Sequence, residues 1–415
     1  MYIVGKSGTG KSSLIGNMIA SDLEHGYGLA LLDPHGDLAE SVLHHVPRKR
    51  IEDVIYFNPG DLEHPVAFNP LENVAPDQRY LVASGLISVF KKIWREFWGP
   101  RLEHILRYSL LTLLEYPNST LLDVHRLLTD IEFRKKIVAG LGQLELKAFW
   151  LLEFDKYSSY FRSEAVAPIL NKLGQFLTSL PLRNIVGQAQ TSFDLREVMD
   201  EGKILIANLS KGRIGEDNCS VLGAMLLTKM QLAALSRADV DESKRRAFYL
   251  YIDEAHNFLT TSFADMLSES RKFGLNLTIS TQYSAKMDEE IRSAIFGNVG
   301  TLISFRVGPE DAELLAREFK PVFRESDFLN LPNYNIYLKL LIEGVTSNPF
   351  SATTLPLLNQ TSSFTTEIID ASRKRYGHPR KAVEQAILNA RHLPNTRVAN
   401  TKEKPDQIID QQTLF

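Results

Sequence analysis

The chain has 415 residues, 44% of them hydrophobic and 23% charged, with 47 Lys plus Arg set against 50 Asp plus Glu for a formal net charge of −3. This is the composition of a globular protein of two or three units. Near-neutrality excludes a bulk polycation, so any contact with nucleic acid has to come from a local basic surface. The single cysteine, Cys219, excludes an internal disulfide, and no Cys/His spacing suggests zinc; a reducing, cytoplasmic compartment fits. The nearest candidate for a membrane span, Leu81–Phe90, stops at Lys91 and Lys92, short of the ~18 residues of a membrane helix. No membrane span and no signal peptide are expected.

Met1–Val4 reads as a short buried strand running straight into a glycine-rich turn. A central strand with nothing before it leads to the expectation that an N-terminal domain is missing. Leu14, Ile15, Met18, Ile19 and Leu23 then recur at helical spacing, and Gly26 and Gly28 stop that helix. Leu29–Leu32 and Val54–Phe57 are further strands, so strand, helix and strand alternate as in a parallel α/β sheet. Over 77–200 the pattern turns helical, and all three tryptophans (Trp94, Trp98, Trp150) fall there. The stretch is read as an all-α insertion with its own small core. The sheet resumes with Lys203–Leu209, Phe248–Asp253, Leu277–Thr281, Thr301–Val307 and Ile336–Ile342, with helices at Asn218–Ser236, Phe263–Phe273 and Pro309–Glu318 between them. The expected organisation is a nucleotide-binding core split into 1–76 and 201–350, the insertion at 77–200, a helical extension at 351–392 and a disordered tail at 393–415.

Gly5-Lys6-Ser7-Gly8-Thr9-Gly10-Lys11-Ser12, followed by Ser13, fits the phosphate-binding loop G-x-x-x-x-G-K-[ST]. Its glycines let successive N–H groups turn toward phosphate oxygens, and the following helix adds its positive end. Lys11 is expected on the β- and γ-phosphates of ATP and Ser12 on Mg²⁺. The strand Phe248–Ile252 ends in Asp253 and Glu254. Asp253 is the second candidate for holding Mg²⁺, through water, and Glu254 the candidate to polarise the attacking water. A solvated strand-end cap is the plain alternative. Gln282 ends another apolar strand, where an amide could contact both the γ-phosphate and the water; a simple strand-end glutamine is the alternative.

Arg271, in Arg271-Lys272-Phe273-Gly274, is either a cation at a helix C-terminus or an arginine finger given to a neighbouring subunit. Asp33-Pro34-His35-Gly36-Asp37 is either a loop near the nucleotide or a plain turn. Basic runs at Arg48–Arg50, Arg134–Lys136, Lys244–Arg246 and Arg373–Arg375 read as solvated turns or as contacts to nucleic acid. Lys211-Gly212-Arg213 follows a strand, in a loop suited to lining a pore. Gln411–Phe415 is similar to the short peptides by which bacterial proteins dock on the sliding clamp; a random tail ending is the alternative.

In order along the chain, the phosphate loop, Asp33–Asp37, Tyr251–His256 (YIDEAH), Ser270–Gly274 (SRKFG) and Ser280–Gln282 (STQ) resemble the HerA/FtsK group of ring ATPases. The likeness is greatest to conjugative type IV secretion coupling proteins of the TraG/TraD type and to soluble HerA-like DNA translocases, over residues 1–345. It implies an α/β, RecA-like P-loop NTPase core with a parallel, doubly wound sheet, a homohexameric ring and ATP-driven movement of DNA through it. By motif position it assigns Lys11 and Ser12 to the phosphate loop, Asp253 and Glu254 to the acidic pair, Gln282 to the sensor and Arg271 to the position that often acts in trans. It further implies a secretion channel, relaxase or nuclease as partner, and membrane association where N-terminal membrane helices are present. An ATPase exporting protein without DNA and a nucleotide-gated scaffold are the competing readings.

Overall fold

The computed structural model describes residues 1–72, 74–357 and 363–390, apart from the side chains of Phe176 and Asp265. The tail at 393–415, read as disordered, and the Gln411–Phe415 peptide lie outside the described residues. A nine-stranded sheet organises the rest. Its strands are β1 (Tyr2–Val4), β2 (Gly28–Asp33), β3 (Val54–Phe57), β4 (Ile204–Asn208), β5 (Phe248–Ile252), β6 (Leu275–Thr281), β7 (Leu302–Ser304), β8 (Asn335–Lys339) and the strand Phe350–Thr353. In space the order is Phe350–Thr353, β8, β7, β1, β6, β5, β2, β4, β3.

From β7 to β3 every pairing is parallel. The expectation of a parallel sheet needs correction at one edge, where β8 pairs antiparallel with both β7 and Phe350–Thr353. For the outer pair, the residues between Lys339 and Phe350 suffice for a hairpin but not for the crossover that a parallel neighbour requires. The edge also differs in patterning: β8 alternates buried and half-buried residues, whereas β2 and β4 are buried throughout.

Side-chain alternation sorts each strand between two cores. Leu29 and Leu31 of β2 join Ile15, Ile19 and Leu23 of helix α1 (Lys11–Glu24) and Leu38 and Val42 of helix α2 (Asp37–Leu43) on one face. Ala30 and Leu32 face the other core with Leu222, Met225 and Leu226 of the long helix Glu216–Ser236. By length and composition alone, Glu216–Asp239 would suffice to cross a membrane, a segment that the sequence reading passes over; here most of it is buried in the fold.

Between β3 and β4 the described residues form helices and no strand, including α3 (Arg79–Ile93) and α4 (Pro100–Glu115). Trp150 is fully buried there and donates from Nε1 to Thr112 Oγ1 at 2.8 Å. These helices do not keep the separate core expected of them. Their buried residues run on without a break into the sheet-face core, because α3 lies on Glu216–Ser236. Gly85 marks the contact, since a Cβ there would collide with Thr228 Cγ2. Gly85→Leu is expected to destabilise the chain by about 1–3 kcal/mol in urea unfolding. Thr228→Ser, which removes the methyl and keeps a hydroxyl for the bond to Ala224 O, should restore part of that loss.

Candidate nucleotide site

Four parallel strands deliver their C-terminal ends to one cleft, the usual ligand position in such sheets. It has a volume of about 420 Å³, and its lining includes Gly10, Lys11 and Ser12 after β1, Asp33 at the end of β2, Asp253 and Glu254 after β5, and Gln282 after β6. Helix α1 starts at Lys11 and leads to β2, which lies beyond β6 and β5 from β1. The phosphate loop therefore sits where the chain leaves one strand to cross over two others.

Within the loop Gly8 and Gly10 have φ of +74° and +117°, values that L side chains adopt only with strain. Ser7, Ser12 and Ser13 also face the cleft; Gly5 packs against Phe305, and Lys6 N donates to Arg306 O. Thr9 is buried and donates from Oγ1 to Lys6 O at 2.7 Å, closing the loop on itself.

Lys11 is 6% exposed, Asp253 6% and Glu254 4%. Lys11 Nζ donates to Gly5 O at 2.6 Å and to Lys6 O at 3.3 Å, and lies 3.8 Å from Glu254 Oε1. Burial pulls the ammonium below its ordinary pKa against the opposing pull of Glu254 and Asp253. Burial likewise pushes the Glu254 carboxyl up, while Lys11 draws it back down. Each buried charge is thus tolerable because of its partner.

Glu254 sits on a left-handed backbone at φ +43°, a cost that proteins accept mainly at functional positions. That turn lets its Oε2 accept from Gln282 N at 3.0 Å, bridging the ends of β5 and β6. Asp253 Oδ1 accepts from Ser280 Oγ. Asp33, read as either functional or a plain turn, is fully buried; its carboxylate accepts from His35 N at 2.8 Å and Ala39 N at 2.9 Å, fixing the start of α2. Burial raises its pKa first of all.

His256, which the sequence reading did not single out, stands 3.4 Å from Glu254 Oε2 through Nδ1. Burial, with Lys286, Lys92, Lys211 and His35 nearby, lowers its pKa to about 4. Lys92, from α3, donates to the carbonyls of His256 and Leu259 at 2.8 and 2.7 Å, so the helical stretch braces the acidic turn.

Arg271 is exposed and lies four residues before β6, at the other end of the strand from Gln282. The helix expected over Phe263–Phe273 ends at Glu269 and gives way to a 3₁₀ turn closed by Gly274 at φ +72°. The structure does not bring Arg271 into its own subunit's cleft. Lys211-Gly212-Arg213, expected in a loop, is the first turn of a short helix, and Arg213 pairs with Glu40 at 3.1 Å. Several members of the basic runs hold the fold together. Arg50 donates to Tyr27 O and Gly202 O, Arg134 pairs with Asp155, Arg246 donates to Gly26 O, and Arg373 pairs with Asp61.

Residues 1–340 match the profile of the type IV secretion-system coupling protein DNA-binding domain. The chain belongs to that family. No curated protein matches it by sequence. Among solved structures, the plasmid coupling protein TrwB in complex with ADP and Mg²⁺ is similar at a TM-score of 0.61 and 19% identity, over 88% of this chain and 86% of that one. The bacterial conjugative coupling protein TrwBΔN70 in its unbound form gives 0.59 and 17% over the same shares. VirB4 of Thermoanaerobacter pseudethanolicus gives 0.51 and 13%, over 88% and 90%. These likenesses establish the RecA-like P-loop NTPase fold for this family member.

The neutral imidazole beside Glu254 carries a testable pH dependence. Below its ordinary pKa of 6.5 the unfolded chain takes up a proton at His256 that the folded chain refuses until about pH 4. Stability is therefore lost as pH falls from 6.5 toward 4 and unaffected above that window. His256→Gln should flatten this part of the profile by up to about 3 kcal/mol, at about 1.4 kcal/mol per pH unit, in urea unfolding at pH 7 and pH 4.

Proposed function

We propose that the chain is an ATP-hydrolysing motor that moves DNA through a ring of identical subunits, as a conjugative type IV coupling protein does. The observation that carries the reading is the buried set of Lys11, Asp253 and Glu254 at the mouth of the phosphate loop, in a member of a DNA-binding coupling family. The proposed organisation is the split core of 1–76 and 201–350, with 77–200 inserted and 351–392 appended.

Of the loop residues Gly5 to Ser13, those from Ser7 onward that line the cleft cradle the triphosphate with the N-terminus of α1 facing its charge, while the N–H groups of Gly5 and Lys6 are held by Thr281 O and Arg306 O and anchor the loop to the sheet. Lys11 compensates charge that builds on the β- and γ-phosphates during transfer. The hydroxyl of Ser12 and the carboxylate of Asp253 line the same cleft. These hard oxygen donors suit Mg²⁺, and such sites typically leave the remaining positions to water and phosphate. When bound, Mg²⁺ supplies neutralisation of the phosphate oxygens. Glu254 accepts the proton of the attacking water. Gln282, whose main-chain N–H holds Glu254, lines the same cleft; its side-chain amide is the group proposed to contact the γ-phosphate and the water and so to link the state of the nucleotide to β6.

Hydrolysis is expected to fall on the acid side from a pH above the ordinary carboxylate range, because protonated Glu254 cannot accept a proton. Glu254→Gln should keep ATP affinity and lose hydrolysis by ~10²–10⁴-fold. Lys11→Ala should lose binding or turnover, and Asp253→Ala the Mg²⁺-dependent part of affinity. Equal loss of nucleotide affinity in all three variants would refute these separate roles.

DNA is the proposed polymer substrate, and Lys211 and Arg213 are the first positions to test for contact with it. Stimulation of the ATPase by DNA supports a translocase; an ATPase indifferent to DNA is an export motor, and one that binds ATP without turnover is a scaffold. The proposed location is cytoplasmic, at the membrane where membrane helices precede the core, next to a secretion channel, relaxase or nuclease.

The homohexamer gives Arg271 its role. Exposed and far from its own cleft, Arg271 serves as a finger only toward a neighbour's γ-phosphate, through donors that stay charged at any working pH. Arg271→Ala should keep ATP affinity and lose turnover by up to ~10³-fold. Rings mixed from Arg271→Ala and Glu254→Gln subunits should recover part of it, at interfaces where both residues are intact. Verified mixed rings without recovery would reduce Arg271 to a helix-end cation.

A further inference from the structure

Two apolar side chains stand exposed in the wall of this cleft. Tyr334 is 50% and Leu357 37% exposed, and both line the cavity that holds Lys11 and Ser12. Tyr334 lies on a left-handed backbone at φ +65°, a genuine outlier for a residue with a ring. The conformation is fixed from two sides. Tyr334 N donates to Thr9 O of the phosphate loop at 2.8 Å, and its carbonyl accepts from Thr354 N at 2.7 Å and Thr354 Oγ1 at 3.1 Å.

The ring is thereby laid against Gly10, where a Cβ would come within 2.9 Å of Tyr334 Cδ1. Leu357 is laid against Gly16 in the same way, with 2.9 Å between its Cδ1 and a Cβ there. Glycine in a helix interior costs stability relative to alanine, and at Gly16 the space it leaves is taken by Leu357. The segment carrying Leu357 is pinned to α1, since Asn17 Nδ2 donates to Leu355 O at 3.3 Å and to Pro356 O at 3.0 Å. Two strained or costly backbone positions therefore serve one end, holding an aromatic face and an aliphatic tip beside the start of α1.

We propose that Tyr334 and Leu357 form the pocket for the nucleobase, which stacks on the Tyr334 ring and packs against Leu357. The proposal rests on the reading of the cleft as a nucleotide site and names the residues that hold the part the phosphate loop does not. The base is the one flat, largely apolar part of a nucleotide, and stacking on an aromatic face is tolerant of base identity.

The test compares equilibrium binding of ATP and of inorganic tripolyphosphate, both with Mg²⁺, to the full chain. Tyr334→Ala is expected to weaken ATP by roughly ten- to a hundredfold and to leave tripolyphosphate within about twofold, while Tyr334→Phe behaves as the unaltered chain. ATP affinity unchanged in Tyr334→Ala, or an equal loss for both ligands, overturns the proposal. Because the main chain of Tyr334 also holds Thr9, Leu357→Ser provides a second variant at a side chain that has no hydrogen-bonding group to hold the loop; a smaller loss confined to ATP is expected, and a loss shared by tripolyphosphate overturns the proposal. Failure of the unaltered chain to bind either ligand would instead sink the reading of the cleft itself.

Discussion

Burying one ammonium against two carboxylates constrains the whole sheet. Lys11 follows β1, Asp253 and Glu254 follow β5, and the Gln282 N–H that steadies Glu254 follows β6. Each of these charges would be costly if buried alone. They are tolerable together only if β6 lies between β1 and β5 with all three strands pointing the same way, which is the order found. The crossover of α1, the left-handed turn at Glu254 and the Lys92 brace from α3 all serve that arrangement. With more negative than positive side chains buried at the mouth, the balance for a triphosphate has to come from loop amides, a helix end and a divalent cation.

What was legible in the sequence is what is written locally. The phosphate loop needs its glycines and Lys11 within eight consecutive residues, and an apolar run ending in acids can be read as a strand tip without knowing its neighbours. The antiparallel edge was not legible, because direction depends on what the connection does in space and β8 is too short for its half-buried pattern to stand out. The helix expected through Phe273 fails for a similar reason: Gly274 closes it with a 3₁₀ turn, where apolar spacing alone would continue it.

Long-range partners hide a second group of residues. Tyr334 sits between two asparagines in a segment that reads as an ordinary turn, and its importance comes from Thr9 and Thr354, distant in sequence. His256 looks like the end of a motif until burial leaves it neutral against Glu254. The basic runs mislead in the opposite direction. Arg50, Arg134 and Arg246 spend their guanidinium groups on carbonyls or a carboxylate of the fold, which a count of charges cannot reveal. The helical stretch between β3 and β4 is distinct in sequence yet shares its core with the sheet, since α3 needs the face of Glu216–Ser236 to cover it.

The sheet is finished at its two rims by neighbouring parts of one chain. Phe350–Thr353 completes the antiparallel rim, and the helix Thr365–Tyr376 lies beside β3, where Ser372 Oγ accepts from Tyr56 N at 2.8 Å and Ile368 is fully buried. A strand rim left open invites pairing with another chain; the β3 rim is covered by that helix, whereas Phe350–Thr353 is the outermost strand and presents its far side as the open edge of the sheet.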